Sequence, residues 1–231
     1  MKLHRFYVGN DIELKHNFWV HDSRLLHQWL RVLRLRSGEQ IVLFDGVTHD
    51  RLYKILETNE REAHLQHVTD FERKLPKKEV FLLWSLLKKD KNDWVLQKCT
   101  ELGVSHFWPL LAERSEKTGF NIERAQKIAI EASEQCGRSD IPSIREAIHI
   151  QAALDDLKDK AQIFICEQTL VTDDRQLTTQ GSAGILIGPE GGWSDNEKEQ
   201  FEQQNLSHLS LHDFTLRAET AAVAAVTKLL Q

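Results

Sequence analysis

Two stretches near the end of the chain have residue types and spacings that could bind a ligand. The first follows the apolar run Ile185–Ile187 and consists of Gly188, Pro189, Glu190, Gly191 and Gly192. Glycine permits positive φ and a close approach to the main chain, while proline fixes one φ and removes a donor. The loop therefore exposes backbone amides at the end of a buried strand and could hold a small molecule. A tight turn between a strand and a helix is an equally good interpretation.

The second stretch is Leu216–Ala221, which enters an Ala-rich terminal helix. Glu219 and Thr220 fall in the first turn, where a carboxylate and a hydroxyl suit the helix dipole and the unpaired amides. Ser194 followed by Glu197 is a capping box and predicts another helix just after Trp193. By itself, the second stretch indicates only the start of a helix.

These loops are predicted to be positioned by an α/β domain with a parallel sheet, because strand and helix patterns alternate after residue 76. Ligands bind such sheets outside the carboxyl ends of the strands, where both loops would gather. The predicted strands are Val80–Leu83, Phe107–Leu111, Gln162–Cys166, Gly184–Ile187 and Leu209–Leu211, and the predicted helices include Asn92–Leu102 and Asn121–Gln135.

The first third of the chain is β-rich and is typical of a small barrel, since short aromatic and β-branched runs alternate with turn signals. A charged stretch with a proline, Phe71–Lys78, is the predicted linker. The predicted strands are Arg5–Val8, Phe18–Val20, Glu39–Phe44 and Arg51–Leu56.

Composition limits the class of protein. The net charge of −5 is segregated, with 12 Lys and Arg against 11 Asp and Glu in residues 1–75 and 18 against 24 in residues 76–231. The three cysteines are far apart, so no disulfide framework or metal site is predicted, and they are interpreted as small core residues. The absence of a long apolar run and of a secretory segment predicts a cytoplasmic protein without a membrane partner.

The segment Ser23–Gly38 contains four arginines and no acidic residue: Arg24, Arg31, Arg34 and Arg36. A solvated helix face would normally carry mixed charge, so this composition favours contact with RNA phosphates. Trp29 in the same segment is interpreted as a core anchor rather than a platform for stacking bases.

Paired with Gly188–Gly192, the stretch Leu216–Ala221 resembles the cofactor site of the SPOUT-class RNA methyltransferases, and in particular the RsmE family. The resemblance covers essentially the whole chain. Its other segments are Leu30–Leu35, Gln97–Val104, Glu113–Ser115 and Glu131–Ser139. One departure is that the family usually has a glycine after the strand before Leu216, where this chain has His212.

The resemblance implies a PUA-like RNA-binding β-barrel over residues 1–72 and a SPOUT methyltransferase domain with a trefoil knot over 73–231. It also implies a homodimer that uses S-adenosylmethionine to methylate N3 of a uridine in small-subunit (16S) ribosomal RNA, with the small ribosomal subunit as the expected partner. The cofactor-binding residues that it implies are Ile187, Gly188, Pro189, Glu190, Gly191, Gly192, Leu211, Leu216 and Thr220.

For this reaction, we expect Arg217 to stabilise charge on a uracil oxygen, and Glu219 or a water that it orients to accept the N3 proton. The structural alternative is that Glu219 caps the last helix and Arg217 pairs with it. Arg114 and Arg138 are expected to contact RNA phosphates, with surface ion pairs as the alternative. The small-residue face of the last helix would serve either core packing or a subunit interface.

Two other classes of protein remain open from the residues alone. An RNA-binding module without catalysis would explain the arginines but not the two paired loops. A nucleotide-phosphate enzyme could use Gly188–Gly192 as an anion cradle. Against the latter, no Gly-Lys-Ser/Thr sequence follows the loop, and Glu190 would repel phosphate.

Overall fold

The computed structural model describes residues 3–115, 119–166, 181–204 and 206–230. The chain divides into two compact units, the first made of Met1–Leu75 with Ser133–Ile141 and the second of Pro76–Ala132 with Pro142–Gln231. A segment from the middle of the chain therefore folds with the amino-terminal unit. The domain boundary at residues 72/73 stays a prediction.

The first unit is built on a five-stranded sheet with the order β1-β3-β4-β5-β2. Strand β1 runs parallel to β3, and the other neighbours are antiparallel. Four of these strands match the predicted runs within two residues at each end, and β5 was not predicted. The strands are β1 (His4–Tyr7), β2 (Asn17–Val20), β3 (Gln40–Phe44), β4 (Asp50–Thr58) and β5 (Ala63–Asp70).

The arginine-rich segment folds as a short helix, α1 (Ser23–Leu26), that continues as a π-helical segment over His27–Val32. The Asp22 carboxylate caps α1 by accepting the Leu25 amide at 2.8 Å. Trp29 is fully buried, and its ring centroid lies 5.5 Å from that of Phe6. The interpretation of Trp29 as a core anchor is confirmed.

The second unit is an α/β domain with an all-parallel sheet, as predicted. Its strand order is β12-β10-β11-β6-β7-β8, and β9 also pairs with β7. The described strands are β6 (Val80–Ser85), β7 (His106–Leu111), β8 (Ser143–Ile144), β9 (Ile148–His149), β10 (Gln162–Cys166), β11 (Ala183–Ile187) and β12 (Ser207–Leu209). The helices are α2 (Lys89–Leu102), α3 (Ile122–Cys136), α4 (Ile150–Leu157), α5 (Asp195–Gln203) and α6 (Ala218–Leu230).

Helices cover both faces of this sheet because the strand residues that point to either face are apolar. Leu82 of β6 belongs to a core with α2 and α6, whereas Leu83 belongs to a core with α4 and α5. Ala222 and Ala225 of α6 are buried in the first of these cores, so part of its small-residue face serves core packing. Within the described ranges, no helix is long and apolar enough to cross a bilayer.

The structure corrects two predictions. Strand β12 ends at Leu209, so it lies two residues earlier than the predicted Leu209–Leu211. Only Cys99 is a buried core cysteine, whereas Cys136 is exposed and Cys166 is half-buried.

Candidate functional site

The loop Gly188–Gly192 leaves the carboxyl end of β11, which is buried between β10 and β6. The Gly192 amide donates to the Pro189 carbonyl at 2.9 Å and closes a tight turn. A Cβ on Gly188 would lie 3.0 Å from Cε2 of Trp193, whose buried indole packs edge-on against Phe201. Glycine suits position 188 because a Cβ there would force the indole to shift by a few tenths of an ångström.

The predicted capping box at the start of α5 is confirmed. The Glu197 amide donates to Ser194 Oγ at 3.1 Å, and the Ser194 amide donates to Glu197 Oε2 at 2.7 Å. Glu197 Oε1 also accepts the Glu113 amide at 2.8 Å, and Asn196 Nδ2 donates to the Glu113 carboxylate at 2.8 Å. That hydrogen bond from Asn196 is the main reason why the pKa of Glu113 is lowered. Together these bonds tie the loop after β7 to the start of α5.

The second loop connects β12 to α6 and is stabilised by His212. His212 Nδ1 accepts the Phe214 amide at 3.1 Å, and the two rings stack with centroids 5.1 Å apart at an interplanar angle of 26°. Lys228 of α6 donates to the Ser210 carbonyl at 3.1 Å. The imidazole therefore restrains the backbone of this loop through a specific hydrogen bond.

The two loops meet around one cavity of about 900 Å³. Eight of the predicted cofactor-binding residues line it: Ile187, Gly188, Pro189, Glu190, Gly191, Gly192, Leu211 and Leu216. Thr220 is exposed and lies outside the lining. The lining also includes Phe214 and Thr215 of the second loop and Ala218 and Ala221 of α6. Four further lining residues were not predicted from the sequence, namely Lys91, Cys166, Trp193 and Lys198.

Lys91, which was not predicted from the sequence, pairs with two carboxylates at the site. Its ammonium group binds the Glu190 carboxylate and lies 3.7 Å from the Glu219 carboxylate. The hydrogen bond to Glu190, followed by the charge of Glu219, raises the pKa of Lys91 against the opposing effect of burial. Lys91 thus links the first loop to the start of α6. The sequence does not predict this contact between Lys91 and Glu190, because the two residues come together only when β6 pairs with β11.

Lys91 is held in place by its neighbour Asn92, whose side chain is buried. Asn92 Oδ1 accepts from the Leu87 amide at 3.0 Å and from Trp84 Nε1 at 2.9 Å. Its Nδ2 donates to the Leu87 carbonyl at 2.8 Å. These three bonds fix the turn from β6 into α2.

The two residues predicted to be catalytic occupy different positions. Arg217 is exposed and lines the cavity, and its side chain makes no hydrogen bond or ion pair within the described ranges. The Glu219 carboxylate is outside the lining, and its Oε2 is buried without a hydrogen bond in the described part of the chain. The ion-pair partner of Glu219 is Lys91 rather than Arg217.

The predicted RNA-binding arginines also differ in their surroundings. Arg114 is exposed, lines the cavity and donates to the Gly191 carbonyl at 3.4 Å. Arg138 is buried and binds Asp140 through two hydrogen bonds of 2.9 and 2.7 Å, so its ion pair is a buried one rather than the expected surface pair. The arginines of the amino-terminal segment, Arg24, Arg31, Arg34 and Arg36, are all exposed, and Arg31 binds Glu60.

The cavity suits a ligand of nucleoside size. Its volume falls within the range of roughly 300–1,000 Å³ that is common for such sites. The amides of Glu190, Gly191 and Leu216 form no hydrogen bond with other described residues, so they can donate to a ligand. Within the same ranges, no group of three His, Cys, Asp or Glu residues could hold a metal ion.

The parallel α/β sheet positions a loop-lined cavity with cationic side chains at its edge, an arrangement that suits a small molecule beside an anionic ligand. Residues 73–230 match the family model described as an RNA methyltransferase domain, and residues 30–66 match an RNA methyltransferase PUA domain. The chain belongs to this RNA methyltransferase family. The resemblance to the RsmE family and the prediction of an RNA methyltransferase are confirmed.

The chain is similar to several relatives along nearly its whole length. It is 27% identical to ribosomal RNA small subunit methyltransferase E of Rickettsia conorii, covering 99% of this chain and 95% of that protein. It is 29% identical to the Bacillus subtilis enzyme of the same name, with coverage of 87% and 85%. A crystal structure of the Neisseria gonorrhoeae enzyme bound to S-adenosylmethionine matches with a TM-score of 0.87 and 26% identity over 98% and 96% of the two chains.

Proposed function

We propose that this protein transfers a methyl group from S-adenosylmethionine to N3 of a uridine in small-subunit ribosomal RNA. The observation that carries the proposal is the cavity that both loops line, with Arg217 at its edge and without an ion-pair partner among the described residues. The names of the relatives support the choice of RNA, and the Neisseria gonorrhoeae structure supports the choice of cofactor.

S-adenosylmethionine supplies a methyl group already activated on a sulfonium cation. The chain's own task is therefore to position the reactants. We propose that the amides of Glu190, Gly191 and Leu216 bind the adenine-bearing part, while Ile187 and Leu211 supply apolar contact. Lys91 neutralises Glu190 and holds its loop against the start of α6.

The acceptor atom bears a proton and lies on the pairing edge of uracil, so the base must leave the RNA stack and lose that proton as the N–C bond forms. We propose that Arg217 stabilises the negative charge that develops on a uracil oxygen. The Glu219 carboxylate is buried and does not line the cavity, so we propose that a water molecule oriented by Glu219 accepts the proton.

The function is tested by incubating the protein with labelled S-adenosylmethionine and small ribosomal subunits from a bacterial strain that lacks the corresponding enzyme. We expect labelled 3-methyluridine after nucleoside analysis, and no label in subunits that are already methylated. Label in another nucleoside, or none in either preparation, would contradict the proposal. The same assay with Glu219→Gln tests the role of that carboxylate.

Gly188→Ala is expected to lower the free energy of unfolding by about 1–3 kcal/mol. The added Cβ would meet Trp193 at 3.0–3.3 Å and overpack the contact between the loop and the indole. Urea unfolding monitored by circular dichroism measures the loss. Gly191→Ala is the comparison, because its Cβ would make an ordinary 3.5 Å contact with Arg114 and should cost less. Equal losses in the two variants would exclude the indole contact as the cause.

We also propose that the exposed arginines of the amino-terminal segment bind RNA phosphates. Replacing Arg24, Arg34 and Arg36 together by alanine should weaken RNA binding and flatten its salt dependence, by about 0.7–0.9 in log–log slope for each phosphate that the variant no longer neutralises. Filter binding across a salt series measures both effects. Arg61→Ala, an exposed arginine of the same unit, is the control and should leave the slope unchanged. If RNA affinity falls by the same factor at every salt concentration and the slope does not change, the result would argue against phosphate binding.

Three further properties complete the proposal: the trefoil knot, a homodimer and a cytoplasmic location. The RsmE family supports all three. Sedimentation of the purified protein tests the homodimer, and a monomer at micromolar concentration would exclude it.

A further inference from the structure

Phe214 is unusual among the large apolar side chains that the structure describes. It is 74% exposed, more than any other in those ranges, and it lines the cavity. Its amide donates to His212 Nδ1, and its ring stacks on the imidazole. An aromatic ring with one face supported by His212 therefore stands in water at the edge of the site.

The charges around this ring indicate what kind of ligand it would meet. The described lining contains three exposed cationic side chains, Arg114, Lys198 and Arg217. Its carboxylate, Glu190, is bound by Lys91. A flat apolar surface in the same lining as these cations suits a ligand that is both aromatic and anionic, as a nucleotide within an RNA strand is.

The proposed reaction creates a need for such a surface. A uridine whose N3 is to be methylated must leave its stack, which costs a few kcal/mol. Stacking of a base on an aromatic side chain returns about 1–3 kcal/mol. The cofactor would occupy the interior formed by the two loops, whereas the exposed Phe214 ring would stay available to the base.

We propose that Phe214 is the stacking platform for the unstacked acceptor base, with His212 as the positioning residue beneath it. This inference rests on the proposed function and deepens it. His212 suits this role, because its Nδ1 accepts the Phe214 amide and its ring stacks on the Phe214 ring.

The test compares Phe214→Leu, which keeps an apolar side chain, with Phe214→Trp, which keeps an aromatic face. We expect Phe214→Leu to lower kcat/KM for RNA by about 5- to 150-fold while the Kd for S-adenosylmethionine stays within about twofold. Phe214→Trp should retain kcat/KM. Trp94→Leu is the control, since Trp94 is an exposed aromatic residue of α2 outside the cavity lining.

A direct readout uses a ribosomal RNA fragment with 4-thiouridine at the methylated position. Irradiation should crosslink it to the peptide that contains Phe214, and the yield should fall in Phe214→Leu. If the cofactor Kd rises in step with the loss of activity, or if leucine and tryptophan behave alike, the stacking role is overturned. If the wild-type protein methylates no uridine at N3, the proposed function fails, and this inference fails with it.

Discussion

Arg217→Ala is expected to lower methyl transfer by about 10²- to 10³-fold at saturating cofactor and RNA. Arg217 is the exposed guanidinium at the cavity edge that no described carboxylate neutralises, so its charge is available to a developing oxyanion. Single-turnover measurements on small subunits follow the chemical step directly. Affinity for S-adenosylmethionine and the unfolding transition should stay close to those of the wild-type protein.

Arg217→Lys refines the expectation, because lysine keeps the charge but not the planar fork. It should recover part of the rate. Arg124→Ala is the matched control, since Arg124 is a half-exposed arginine of the same unit that pairs with Asp93 on the surface. Near-normal turnover by Arg217→Ala, with the fold intact, would remove Arg217 from the chemistry.

Asp50→Ala is expected to destabilise the protein by about 3–5 kcal/mol. The Asp50 carboxylate is buried in the first unit and accepts from Arg5 Nη2 and from Ser139 Oγ, each at 2.7 Å. Its removal leaves the Arg5 guanidinium, whose side chain is only 16% exposed, without its anionic partner. Urea unfolding monitored by circular dichroism measures the loss.

Asp70→Ala is the matched control for Asp50→Ala. Asp70 belongs to the same unit and pairs with Arg51, but its side chain is 62% exposed, and such surface pairs contribute at most about 1 kcal/mol. Equal, small losses in both variants would mean that solvent reaches the Asp50 pair in solution.

The sequence predicted most elements of the second unit because their apolar periodicity is strong. Helix α4 was not predicted, although Ile150, Ala153, Leu154 and Leu157 keep helical spacing. Strand β5 was missed for a physical reason. Its run contains His64, Gln66 and His67, so only a few apolar residues mark its buried side.

The candidate site was predictable where residues lie close together in sequence. Both loops and the capping box have local signatures of glycine, proline and capping residues. Lys91 and Cys166 reach the cavity only because the order of the parallel strands brings distant segments together. The burial of Arg138 likewise depends on Asp140 and on the packing of residues 133–141 with the first unit.

The return of Ser133–Ile141 to the amino-terminal unit has a practical consequence for protein engineering. A recombinant fragment that stops at Leu75 would lack Ser139, which donates to Asp50 and whose carbonyl accepts from Arg73. Grafting this unit onto another enzyme would therefore require two discontinuous pieces of polypeptide. A single cut near the linker would yield an incomplete module.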